Sequence, residues 1–560
     1  MATEEPQTTG GEPATGRAAR RPRRAVRAGV MLLALFTFLL TWAFASPLGA
    51  TPDENYHMAS IWCAEGERDG ACLTNGDGTV FAVPEALPMR VCYAFDPEKA
   101  ATCQPEVELV GTDRYVVTKV GNFGEHAGDY PGLFYSVMSQ FVGPDVQRSI
   151  LVMRVLNAAI FTLLVGVVYA FSSVRVRRAL VATTAVTLVP LGAFLIPSIN
   201  PSGWTIGSAS ILFFALYGAV QSRSRTTIAV LASTAVLAFT MSVGSRADGA
   251  VYAGLAVVVA TMLGLRSLRP TWRNLLRLVL PAVMLGVALR VFLSVGSSAV
   301  QAPQEGSSGS WPVVQIFLDV FQYIPGSLGW FALGWGDTTM PTIVWVLVGT
   351  ACAGVVFVGL AHLGRRRLVA TLIAVGALLA VPTYIAATSW VAGAALQARY
   401  IFPMVIIAVA VLTLVTEARG PAATTSRGLT LTVPQRWFVV GAISVAGAVA
   451  IYINLRRYVT GVDVQKLRLT PAEWWWPGAP VSPEVLCIIS AAALVTVLVL
   501  ATRVLVPGAA DVAGGPAASD ELGGSRSVAS GAAPVAPVPE APLKALEATV
   551  PRHARAAPQN

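Results

Sequence analysis

Val30-Met-Leu-Leu-Ala-Leu-Phe-Thr-Phe-Leu-Leu-Thr-Trp-Ala-Phe-Ala45 runs without a break into Ser46-Pro-Leu-Gly-Ala-Thr-Pro-Asp-Glu-Asn-Tyr-His57. The first half carries no charge and has the character of a helix that crosses a bilayer. The second half places two adjacent acids and a histidine, Asp53, Glu54 and His57, just past its end. A helix beginning near Asp53, with Pro52 suited to its start, puts Asp53 and His57 at i, i+4 and Glu54 and His57 at i, i+3. Carboxylates at a membrane surface can act as base or metal ligand toward a substrate that lives in the lipid. Otherwise Asp53 only caps the helix and Glu54 is solvated.

Composition widens this reading to the whole chain. Of 560 residues, 54% are hydrophobic and 13% charged, and the mean hydropathy is +0.62. Further apolar runs lie at about Ile150–Ser172, Ala179–Pro197, Trp204–Val220, Thr227–Val243, Ala250–Leu265 and Leu278–Val295. Others lie at about Pro341–Leu363, Leu368–Ser389, Ile401–Thr416, Trp437–Leu455 and Pro483–Val506. The expected fold class is an all-α polytopic membrane protein of about twelve transmembrane helices. The net charge of +9 does not point to nucleic acid, because the basic residues cluster in short loops between apolar runs.

Those loops orient the chain. Residues 1–27 are polar and end in a basic patch, so they read as a disordered cytoplasmic tail, and Val30–Ala45 reads as a retained helix rather than a cleaved signal. Alternating from there, Arg175–Arg178, Arg223–Arg225, Arg266–Arg277, Arg365–Arg367 and Glu417–Arg436 fall inside, and all are net basic. The polytopic domain is expected over residues 28–506, with a large extracytoplasmic loop at 47–148. Residues 507–560, rich in Ala, Gly, Pro and Ser, read as a second cytoplasmic tail. The expected location is the plasma membrane, with the active face outside.

The outer loop holds Cys63, Cys72, Cys92 and Cys103, four of six cysteines. That suggests two disulfides, with the pairing open. Other polar residues collect on the same side. Gly128-Asp129-Tyr130-Pro131 closes the loop. Arg246 and Asp248 flank a short turn and either pair with each other or face the cleft of Asp53. Asp337, in a Gly- and Trp-rich segment, is a second carboxylate candidate. Arg399, in Gln397-Ala-Arg399-Tyr400, can grip a phosphate or snorkel as an anchor. Arg456, Arg457, Lys466 and Arg468 break the charge rule, which suggests an anionic ligand. Trp474-Trp475-Trp476 reads as an interface anchor.

Together these pieces suggest a carboxylate base near the first span, Asp53 or Glu54, and arginines that stabilise a departing phosphate. The substrate would be an isoprenoid phosphate bearing a sugar. Pro52-Asp53-Glu54-x-x-His57, Asp129-Tyr130-Pro131, Gln397-x-Arg399-Tyr400-x-x-Pro403 and Arg457-Tyr458-Val-x-Gly461 resemble the actinobacterial DUF2142 family of predicted membrane proteins, over roughly residues 28–506. The layout is also similar to the GT-C superfamily of glycosyltransferases. That resemblance implies an inverting enzyme using a polyprenyl-phosphate-linked sugar donor, membrane lipids, and a cell-envelope glycan or lipid acceptor in cell wall biogenesis. It implies Asp53 as first choice of base and Glu54 as second, with Arg399 on the phosphate. His57, Asp129, Tyr130, Arg246, Tyr400, Arg456 and Arg457 would line the substrate site. No cofactor is expected, although a divalent metal is compatible. The competing functions are a lipid or polysaccharide transporter, for which Arg154 and Arg290 are the charges nearest mid-span, and a non-catalytic assembly subunit.

Overall fold

The computed structural model describes residues 15–87, 90–104, 114–265, 271–299, 318, 320–361, 363–389, 397–415, 428–464 and 467–506. Most of the tails, residues 301–317 of the Gly- and Trp-rich segment, and Lys466 lie outside them.

Helix α1 (Thr15–Phe44) takes in the basic stretch and the first apolar run. Beyond the large loop come α4 (Val146–Phe171), α5 (Val174–Thr187), α6 (Ser202–Gln221), α7 (Arg225–Ser245), α8 (Ala247–Gly264) and α9 (Trp272–Ala299). Then follow α10 (Thr342–Leu360), α11 (Arg365–Ser389), α12 (Ala398–Thr413), α13 (Val433–Val459) and α14 (Pro483–Val504). Among the described residues, 11 helices are long and apolar enough to span a membrane.

The expected span at Ile401–Thr416 corresponds to α12, which has only 16 residues. At 1.5 Å per residue it is about 24 Å long, short of a hydrocarbon core of about 30 Å. It is buried on nearly every side, packing against α5, α6, α8, α10 and α11. A helix walled in by protein need not match the lipid. Helix α6 is the other central element, with 18 of its 20 residues buried. Its Gly203 permits the close approach of the preceding turn, since a Cβ there would lie 2.4 Å from the Leu195 carbonyl oxygen. Small residues of this kind are how helices approach closely where no hydrophobic effect drives them together. Helices α9, α10, α11 and α14 leave large apolar side chains such as Leu289, Phe357, Leu372 and Ile488 exposed, as a lipid-facing surface requires.

The segment between α1 and α4 is not all helical, which corrects the all-α expectation. It contains α2 (Glu54–Trp62), α3 (Leu133–Ser139) and an antiparallel sheet of β1 (Leu73–Thr74), β2 (Phe81–Pro84) and β3 (Tyr115–Thr118), in that order. Cys63 pairs with Cys72 and Cys92 with Cys103, each closing a short local loop. A segment with this little core gains stability from such cross-links.

Candidate functional site

The chain leaving α1 is irregular from Ala45 to Asp53, yet buried almost throughout. Backbone carbonyls in such a place must be paired. Side chains from distant elements do this. Arg154 on α4 donates to the carbonyls of Ala43, Ser46 and Pro47 at 3.1, 2.6 and 2.8 Å. Trp476 takes Phe44, Asn454 takes Ala45 at 2.9 Å, and Tyr93 takes Leu48 at 2.6 Å. Trp335 takes Gly49, Tyr458 takes Ala50, and Asn200 takes Pro52 at 2.7 Å. The remaining one, Thr51, accepts from the Glu54 N–H within the turn. Every carbonyl from Ala43 to Pro52 is thereby held, and the strap delivers the two acids to fixed places.

Those places are opposite in kind. The Glu54 side chain is fully buried; Oε1 is 2.9 Å from Arg154 Nη2, and Oε2 accepts the Thr51 N–H at 2.9 Å. The Asp53 side chain is 45% exposed and its Oδ2 is 2.5 Å from Arg399 Nη2. Asp53 occupies the N-cap position of α2 with φ 59°, and its side chain makes no capping bond. That left-handed conformation, which Asp tolerates better than most residues, leaves the carboxylate on Arg399 instead.

Arg399 is almost wholly buried. Its Nη1 donates to the Pro52 carbonyl at 3.2 Å, its Nη2 also reaches the Tyr400 hydroxyl at 3.0 Å, and its Nε–H has no partner. It also lines a cavity of about 560 Å³, whose wall includes Pro52, Phe194, Leu195, Phe331 and Trp335. That volume lies in the range of small-molecule sites, and the wall is mostly apolar with a few placed polar groups.

The other expected site residues distribute around this centre. Arg246 is held by Asp248 through two bonds of 2.8 Å and lies between the rings of Tyr130 and Tyr400, 5.6 and 4.8 Å from their centroids. The mutual pairing reading therefore holds, and the Tyr400 ring that Arg246 contacts also carries Arg399, 5.0 Å from its centroid. Asp129 is partly exposed and pairs with His126 at 3.1 Å.

Arg457 is fully buried against Asp337 at 2.7 Å, and Arg456 donates to the Val462 carbonyl. Arg457 is consumed by the protein, which corrects the expectation of an anion contact at that residue, whereas Arg456 is half-buried and its Nε–H has no partner. Trp476 and Trp475 likewise donate inward, to Phe44 and Val481, rather than only anchoring at an interface. Among the described residues no group of three or more His, Cys, Asp and Glu side chains is placed to hold a metal ion.

His57 is buried, with Nδ1 3.0 Å from the Tyr135 hydroxyl. Burial, and then the charges of Arg399 and Arg246, push it well below its ordinary value of 6.5. Below pH 6.5 the unfolded chain therefore takes up a proton that the folded chain refuses. The His57 contribution is intact above that value and is lost as pH falls below it. Thermal melting in detergent between about pH 7.5 and 5.5 is expected to show this decline, flattened in His57→Gln. An equal decline in both proteins would contradict it.

Sequence reasoning missed the strap's donors. From the sequence Arg154 reads only as a candidate charge for transport, and Asn200 and Asn454 do not read as donors at all. The signal was available, since each is a polar side chain within or beside an apolar run. No curated protein and no solved structure matches the chain. The predicted membrane protein family DUF2142 matches residues 36–408, from within α1 to within α12, stopping short of the Arg457 motif. That range contains Asp53, Glu54, His57, Asp129, Tyr130, Arg246, Arg399 and Tyr400, and the chain belongs to the DUF2142 family of multi-pass membrane proteins.

Proposed function

We propose that the protein is a membrane glycosyltransferase that moves a sugar from a polyprenyl-phosphate donor to a cell-envelope acceptor on the outer face of the membrane. The observation that carries this reading is the pair Asp53–Arg399 beside the apolar-walled cavity. It joins, within one contact, a carboxylate that solvent reaches and a buried guanidinium with an unused N–H. A lipid chain suits the apolar wall, and its phosphate suits Arg399 through charge-assisted bonds.

In the reaction the acceptor hydroxyl attacks the anomeric carbon and its proton passes to the Asp53 carboxylate. The bond between that carbon and the phosphate oxygen breaks, and the electron pair leaves with the phosphate, which Arg399 stabilises. Donor phosphate and Asp53 compete for Arg399, so donor binding frees the base. Glu54 is sealed from substrate and holds the strap. The two local disulfides support an oxidising outer compartment for this end of the bundle. The transport reading loses one of its two candidate charges, because Arg154 is spent on Glu54 and three carbonyls.

The test is turnover of a panel of radiolabelled polyprenyl-phosphate sugars by the purified protein in nanodiscs, with envelope glycan or lipid as acceptor. Donor consumption dependent on acceptor supports the reading. Saturable donor binding without turnover under every acceptor would overturn it in favour of a carrier or assembly subunit.

A further inference from the structure

The Arg457-Tyr458-Val-x-Gly461 motif lies beyond the range that matches the family and takes no part in the chemistry above. Its geometry shows what it builds. Arg457 Nη2 donates to the Tyr93 carbonyl at 2.5 Å and Nη1 to the Lys99 carbonyl at 2.7 Å. These two carbonyls flank Phe95 inside the loop closed by Cys92–Cys103. The same guanidinium pairs with Asp337 at 2.7 Å. Asp337 belongs to the tight turn between Leu333 and Thr338, which carries Trp335.

Gly461 completes the clamp. Its φ is +82°, and a Cβ there would lie 2.1 Å from the Glu98 carbonyl oxygen. The Val462 N–H donates to Pro97 at 3.0 Å. One buried arginine and one glycine thus fix the Phe95 loop and the Trp335 turn against each other.

The product of this clamp is a pair of aromatic rings. Phe95 and Trp335 meet edge to face with centroids 5.4 Å apart, and both line the cavity that Arg399 lines. Phe95 is 73% exposed and has φ 64°. A large apolar side chain held open to solvent in a left-handed conformation is not explained by packing. Trp335 is fixed from behind by its Nε–H bond to Gly49 at 2.8 Å, so its ring is pinned while one edge stays accessible.

We propose that Phe95 and Trp335 form a carbohydrate subsite, stacking on the sugar ring of the donor whose phosphate Arg399 holds. This rests on the lipid-phosphate-sugar reading of the Asp53–Arg399 site and names where the sugar is gripped. A sugar ring presents a face of C–H groups that packs on the negative face of an aromatic ring. Placed on the wall shared with Arg399, the rim orients the anomeric carbon relative to the phosphate. Arg457 acts through the rim and is a positioning residue.

The experiment compares equilibrium binding of farnesyl phosphate and farnesyl phosphoglucose to the wild-type protein in nanodiscs, to Phe95→Asn and to Phe95→Tyr. Asn accepts the left-handed backbone and removes the ring, and Phe95 is exposed, so the fold does not depend on it. The expected result is a roughly tenfold loss for the sugar-bearing probe in Phe95→Asn, recovery in Phe95→Tyr, and no change for farnesyl phosphate in either. Equal weakening of both probes would place the lipid rather than the sugar on the rim and overturn the subsite. Unchanged binding of both would also overturn it while leaving the phosphate site standing. Failure of the wild type to bind farnesyl phosphate at all would overturn the phosphate reading and the subsite with it.

Discussion

Asp53→Asn should lower donor turnover by about 10²- to 10⁴-fold while leaving the protein folded. The substitution keeps the size of the side chain and its ability to accept a hydrogen bond from Arg399, but it removes the proposed base. Because the Asp53 side chain is nearly half exposed, losing its charge leaves no buried partner stranded except Arg399, which retains the Pro52 carbonyl and the Tyr400 hydroxyl. Steady-state kinetics on a donor that the wild type consumes would show the loss in kcat rather than in KM, as expected for an interaction used in the transition state. Near-wild-type kcat in a folded Asp53→Asn protein would remove Asp53 from the chemistry.

Arg154→Ala should be destabilising to a degree that no surface change approaches. It strips the buried Glu54 of its charge partner and leaves the carbonyls of Ala43, Ser46 and Pro47 without donors. Breaking a buried ion pair by removing one partner costs about 3–5 kcal/mol, and each buried group left unpaired adds about 1–3 kcal/mol. The thermal midpoint in detergent is expected to fall steeply or the protein to fail to accumulate. Arg154→Ala combined with Glu54→Gln should recover part of the loss, since the stranded charge is then gone. A single variant that melts with the wild type would contradict the strap.

These expectations show where the sequence was informative. The apolar runs were readable because long stretches poor in charge and rich in apolar residues have few other uses, and α4, α6, α8 and α14 lie where such runs lie. By hydropathy helix α12 is one more span, since hydropathy does not register that protein rather than lipid surrounds it. The sheet escaped because β1 and β2 have only 2 and 4 residues, too few to alternate visibly.

At the site, the acids and the arginines were legible as residue types, and their pairing was not. Asp53 and Glu54 are neighbours with the same chemistry. What separates them is Arg154, 100 residues away, and Arg399, 346 away from Asp53. Arg457 looked available to an anion because its position broke a charge rule; Asp337 and two loop carbonyls had already claimed it. Long-range pairing of charges is a property of the packed bundle, not of local spacing.

The most direct measurement is the affinity for farnesyl phosphate of the wild type, Arg399→Ala and Asp53→Asn, side by side in nanodiscs. The account holds that the phosphate takes the place of Asp53 on Arg399. It predicts that Arg399→Ala binds about tenfold to a hundredfold more weakly, while Asp53→Asn, freed of a competing carboxylate, binds at least as tightly as wild type. Wild-type affinity in Arg399→Ala, or a loss in Asp53→Asn as large as in Arg399→Ala, would contradict it.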